Sequence, residues 1–258
     1  MAALVVMVCG CSSVGDAAPA SAEDASGATT TGPPDAEPED GGTSTTAAAV
    51  ERDLEAEQAA IDAAMLTLSD LPDGWEQVAE GAPGGRENPA AQVYADCMGL
   101  DFDVVYPDGL ASSSRFASAD DESVSSLGVV YASEEVAVDN YALRTSPEAF
   151  DCTVELVEAT LGAVVEASGE DIEIRETTVH PLLVTPIGDS AMALRVTMPV
   201  EARSMRVEGY IDQLIVRVGR VVIQVQARAT FSPFDTTEVE RYAALVVDRI
   251  AAADLPPA

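Results

Sequence analysis

Three features of the chain predict an α+β fold with helices packed on a largely antiparallel sheet. Ser204 to Phe231 alternates with a period of two: from Val221, the residues Ile223, Val225, Ala227, Ala229 and Phe231 point one way, while Arg220, Gln224, Gln226, Arg228 and Thr230 point the other. Gly219 sits where a hairpin turn needs tolerance of positive φ. Two helical stripes precede this hairpin, one through Val136, Val138, Tyr141 and Leu143, the other through Phe150, Val154, Val157, Leu161 and Val164. A closing helix follows it from Asp235, with Glu238 in capping-box position and Val239, Tyr242, Val246 and Ile250 on one side. Such an order places helices against a sheet, with one face of the hairpin on a core and the other wet.

Residues 1–11, MAALVVMVCGC, form an apolar run far too short to span a bilayer. The run reads as the hydrophobic part of a signal peptide, without the basic residues that open one, as if the start codon lay upstream. Val8-Cys9-Gly10-Cys11 resembles the bacterial lipobox, in which the Cys is diacylated and becomes the first mature residue. Gly10 before it makes Cys11 the lipidation site, with ordinary cleavage and release as the alternative. Residues 12–50 hold Ala, Ser, Thr, Gly, Pro, Asp and Glu and scarcely a large apolar side chain, so they are expected to be a disordered tether. Its reach is roughly 35 Å, enough to hold a domain clear of a membrane.

The folded domain is expected over 51–258. Leu54, Ile61 and Met65 share a helical face, giving a first helix over about Val50–Leu68; Leu71-Pro72-Asp73-Gly74-Trp75 ends it and begins a strand. Asn88-Pro89 starts a short helix carrying Val93, Tyr94 and Cys97. Strands follow at Ser114–Ser118 and Ser123–Tyr131. Ser133 and Ser146-Pro147 start the two striped helices, and Ile172–Val179, Leu182–Thr185 and Ala191–Val200 read as further short strands.

Acidic residues outnumber basic ones 45 to 13, for a formal charge of -32, and none of the basic residues is Lys. That field disfavours nucleic acid and anionic lipid headgroups as partners. It reads most simply as a solvated surface in an acidic, Ala- and Val-rich proteome, of which salt adaptation is one version. Cys97 and Cys152 form the second cysteine pair, most simply a disulfide in an exported domain, otherwise two buried thiols. Closing so long a loop is worth roughly 4 kcal/mol on the chain-entropy model.

The chain offers little catalytic chemistry. His180 is the single imidazole, and no Ser stands in a nucleophile-elbow sequence, so no catalytic residue is assigned and the domain is expected to be non-enzymatic. Asp101-Phe102-Asp103 and Asp120-Asp121-Glu122 contain hard-cation ligands without EF-hand spacing, and no metal site is expected. There is no Walker loop, GxGxxG or zinc-spaced Cys/His set, and no cofactor is expected. Trp75, Tyr94, Tyr131 and Tyr141 are read first as core and second as the lining of a ligand pocket.

Several phrases resemble a group of actinobacterial exported lipoproteins and the extracellular sensor domain of mycobacterial PknH-type serine/threonine kinases. They are Leu71-Pro72-Asp73-Gly74-Trp75, the helix at Cys97, Ser125-Ser126, Val129 to Glu135, Phe150-Asp151-Cys152, Gly188-Asp189-Ser190-Ala191 and Val216 to Arg220, over roughly residues 65–252. The resemblance implies an extracytoplasmic domain that binds a ligand in a cleft between helices and sheet. It departs from those domains in offering one disulfide, Cys97–Cys152, where they generally carry two. No kinase domain is present, so sensing would need a partner.

The expectation is thus a non-enzymatic, sensor-like binding domain, lipid-anchored through Cys11 on the outer face of the cell membrane. It would bind a small ligand or an envelope protein. A second reading is a lipid or glycolipid carrier, which predicts a large apolar cavity beneath the 205–231 hairpin.

Overall fold

The computed structural model describes residues 53–78, 89–105, 109–169, 172–202, 205–253 and 255. Helix α1 spans Leu54–Ala64, and the Asp53 carboxylate caps it by accepting from Ala56 N. It ends earlier than its stripe suggests because Met65 is extended and Leu66 N donates to the buried Ser126 Oγ at 3.0 Å. A short 3-10 turn at Leu68–Asp70 leads to β1, Trp75–Gln77. Helices α2 (Pro89–Met98) and α3 (Phe102–Val105) follow, then the hairpin of β2 (Gly109–Ser118) and β3 (Ser123–Tyr131). Ser133 and Ser146 cap α4 (Glu134–Arg144) and α5 (Pro147–Ser168) as expected, with Gly169 in the left-handed region ending α5.

The segment expected as one strand over Ile172–Val179 is two, β4 (Ile172–Ile174) and β5 (Thr178–Leu182), both pairing with β6 (Ser190–Ala202). The break has a cause. Pro199 on β6 accepts from Arg175 N at 2.9 Å but has no N–H to return the bond, and past it Thr177 N donates to the Glu158 carboxylate of α5. No strand forms over 183–185, where Leu183 is 97% exposed and Thr185 bonds Glu240 through its N–H and hydroxyl. The long hairpin is β7 (Met205–Val218) and β8 (Val221–Thr230), turning at Gly219 with φ 54°. Helix α6, Thr236–Ala252, closes the chain, and Asp235 caps it by accepting from Thr237 N.

All strand pairings are antiparallel, in the order β1-β2-β3-β8-β7-β6-β4 with β5 also on β6. Helices lie on both faces, so the expectation of one wet face is corrected. On the front face α1 and α6 cover Val124, Leu214, Val216, Ile223, Val225 and their neighbours in the main core. Helix α1 sits so close that a Cβ on Gly128 would meet Ile61 Cδ1 at 2.6 Å. On the back face the alternate residues face α4 around Val129, Ile215 and Val222, and face α5 around Leu194, Val196 and Met198. A separate small core joins α2, α3 and α5 through Tyr94, Ala95, Val105, Ala149 and Cys152.

Phe231 and Arg220 leave the sides that the alternation predicts for them. Phe231 is 71% exposed with φ 73°, past the end of β8. Arg220, expected on the wet side, is 7% exposed: it ion-pairs with the fully buried Glu57 of α1 at 2.7 Å and donates to Tyr131 O. Among the described residues no helix is long and apolar enough to cross a membrane.

Candidate functional site

The expected site residues separate in space. Cys11 lies outside the described residues, as do 1–50. Cys97 and Cys152 form a disulfide that fastens α2 to α5, with Cα atoms 5.5 Å apart. His180 is exposed on β5, opposite Arg195 in register, and no hydrogen bond to a nucleophile or carboxylate forms there. Among the described residues no group of three or more His, Cys, Asp or Glu side chains converges on a cation position. Glu122 is nonetheless perturbed, its carboxyl pushed up by burial and by the neighbouring Asp120 charge.

The aromatics are structural. Trp75 packs edge-on against Phe234, with ring centroids 6.4 Å apart, in the main core. Tyr94 belongs to the small core, and Tyr131 is buried with its hydroxyl donating to Asn140 Oδ1 at 2.7 Å. Tyr141 packs at the edge of the α4 cluster.

Beneath the 205–231 hairpin the core is filled. The hollow bordered there by Leu214, Val239 and Asp212 has a volume of about 10 Å³, the space of one water. A second hollow, of about 590 Å³, is open and polar, lined by residues such as Arg175, Thr178, Glu201 and Glu208 at the uncovered end of the front face. Its arginines are taken by carboxylates: Arg175 pairs with Glu173 and Glu201, and Arg206 with Glu208. Neither hollow is the large apolar cavity beneath the hairpin that a lipid carrier requires.

Arginine usage exposes a different place. Arg195 holds Asp212 in a bidentate fork, Arg249 holds Asp70 likewise, and Arg217 meets Glu134 and Asp189. Each joins two segments of the fold. Arg115 on β2 and Arg228 on β8 do not follow this pattern: no carboxylate of the described residues lies within ion-pair distance of either.

Strand pairing brings the two together. Arg115 faces Ser125 across β2–β3, Ser125 faces Gln226 across β3–β8, and Arg228 is two residues along β8 from Gln226. The period of two puts them all on the back face, and the next strand adds Gln213 opposite Gln226. All five side chains are partly exposed. Arg228 Nε donates to Gln226 Oε1 at 3.0 Å. Burial, and secondarily the Arg115 guanidinium, push Arg228 down to about 10. Helix α4 packs across β3, β7 and β8 nearer their Tyr131 and Val222 end, and α5 across β4 and β5, so this patch lies between the helix contacts. The alternation places Arg228 on the polar side of its strand, while no local pattern singles out Arg115. The nonconsecutive pairing of β3 with β8 that unites them is a tertiary fact without a local signal.

No protein-family model matches the sequence, and no curated protein matches it. The chain is similar in structure to the extracellular domain of PknH from Mycobacterium tuberculosis, at 13% identity and a TM-score of 0.39, over 76% of this chain and 96% of that one. The expected resemblance is therefore present as a distant likeness in fold, and a likeness of that size says nothing about ligand or activity.

Proposed function

We propose that the chain is a lipid-anchored, non-enzymatic binding domain of the cell envelope, taking a small ligand or a partner protein. The observation that carries this reading is the Cys97–Cys152 disulfide, because such bonds persist in oxidising compartments and are rare in reducing ones. The sequence supports it upstream: a short apolar run ends at Cys11 in a lipobox-like phrase, and a tether-like composition follows. Diacylation at Cys11 would hold the domain on the outer face of the membrane, with 12–50 as spacer.

Intact mass of the protein from a lipoprotein-processing host, before and after reduction, tests the reading. The expected mass is a chain beginning at diacylated Cys11, which gains the hydrogens of one reduced disulfide. An unmodified Cys11 and a mass indifferent to reductant would overturn both the anchor and the compartment.

A further inference from the structure

We propose that Arg115 and Arg228, with Ser125 and Gln226 between them, form a binding site for the phosphate group of a small soluble ligand. This rests on the reading of the chain as a binding domain.

In a chain with 45 acidic and 13 basic residues, carboxylate partners are plentiful, and the arginines that hold the fold together have taken them. Two guanidinium groups half-buried near each other, with no carboxylate of the described residues beside them, carry a repulsive and desolvation cost that the Arg228–Gln226 bond offsets only in part. An anion from outside offsets it.

Arg115 and Arg228 rise from strands on either side of β3, level with Ser125 and Ser123, so their backbones stand about 12 Å apart, within reach of two long side chains converging near Ser125. Arg228 uses Nε on Gln226, which leaves its paired Nη groups as a fork. The Ser125 hydroxyl and the Gln226 and Gln213 amides add neutral donors on the same face. Donors from several directions suit a tetrahedral oxyanion with three or more oxygens better than a planar carboxylate. A formal charge of -32 opposes approach to an anionic membrane surface but acts weakly on one small anion already within reach of two guanidiniums. The source is thus a soluble phosphorylated molecule rather than a lipid headgroup.

The test is titration of the full-length protein in detergent with inorganic phosphate, by calorimetry and thermal shift, with acetate as the planar comparator. Phosphate should bind saturably and raise the melting midpoint, and acetate should do so more weakly. R115Q and R228Q should each weaken phosphate by about tenfold or more, the loss of one charge-assisted contact. R206Q removes the same charge from a paired, 67% exposed arginine on the front face and should titrate as wild type. Circular dichroism confirms folding; if the double variant R115Q/R228Q does not fold, R115Q alone decides. Wild-type affinity in the arginine variants, or no saturable phosphate binding, would overturn the site. So would binding to phosphatidylglycerol vesicles with none to phosphate. A protein diacylated at Cys11 yet indifferent to phosphate loses the site and keeps the envelope placement; an unmodified one that binds phosphate does the reverse.

Discussion

On the front face of the sheet the arginines are fixed by carboxylates: Arg220 is buried on Glu57 and Arg195 is forked on Asp212, around a core that α1 and α6 close. On the back face Arg115 and Arg228 have each other for company, among Ser and Gln, between the regions that α4 and α5 cover. One sheet thus carries a face finished for stability and a face left polar at its centre. Strand alternation makes the division possible, because neighbouring residues on one strand serve opposite faces: Ser126 is buried on Ser114 and Leu66 while Ser125 looks the other way. The same residue type is thus mortar or bait, depending on whether the fold supplies its counter-charge.

The contrast breaks most visibly at Glu57. Glu57→Ala leaves Arg220 charged and buried without its partner, and the expected loss is about 3–5 kcal/mol in urea unfolding. Replacing Glu57 and Arg220 together by Leu and Met should cost much less, since no stranded charge remains. Equal losses in the single and double variants would mean that the pair serves packing alone.

The disulfide ties α2 to α5, one of the two helices that frame the back face. Reduction, or Cys152→Ala, is expected to lower stability by about 2–4 kcal/mol, read as a drop in melting midpoint. The small core of Tyr94, Val105 and Ala149 should loosen first, seen as faster amide exchange in α2 and α5 than in β7 and β8. Uniform loosening would show that the two faces unfold as one unit.

Acid should act on the front-side tie between α6 and the Leu68–Asp70 turn. Burial alone would raise the Asp70 carboxyl, but the Arg249 bond, the Thr67 N–H and hydroxyl bonds and the Arg249 charge outweigh it and hold it below the ordinary range. A depressed carboxylate contributes stability above its unfolded pKa of about 3.9, and that contribution is lost as pH falls through the lower folded value. The unfolding midpoint should therefore fall below about pH 4 by the equivalent of about 1 kcal/mol, and Asp70→Asn should remove that part of the fall.

Much of the local structure was legible in the sequence. Alternation over 205–230, the turn at Gly219, and the caps at Ser133, Ser146 and Asp235 are local signals, and local signals survive folding. What escaped depends on partners remote in the chain. Arg220 reads as wet until Glu57 arrives from α1. Val222 breaks the alternation because α4 covers the second face. The break between β4 and β5 depends on Pro199 and Glu158, neither of which belongs to the segment that breaks. The Arg115–Arg228 patch escaped for the same reason, since its two halves meet only through the β3–β8 pairing.

The smallest expected effect has the opposite sign from the rest. Arg228 has its charge disfavoured by burial and then by Arg115, and its value near 10 lies below that of an ordinary arginine. A base with a depressed folded pKa destabilises the fold while charged, so at neutral pH the full cost is present; it declines only as pH rises through about 10. Arg228→Gln keeps a polar group for Gln226 and removes the charge, so without added anion it should raise stability by up to about 1 kcal/mol. Phosphate should stabilise the wild type toward the variant and erase the gap. A residue that weakens the empty fold and strengthens the liganded one is kept for the ligand, whereas an Arg228→Gln protein less stable than wild type at every phosphate concentration would place Arg228 with Arg220, as part of the frame.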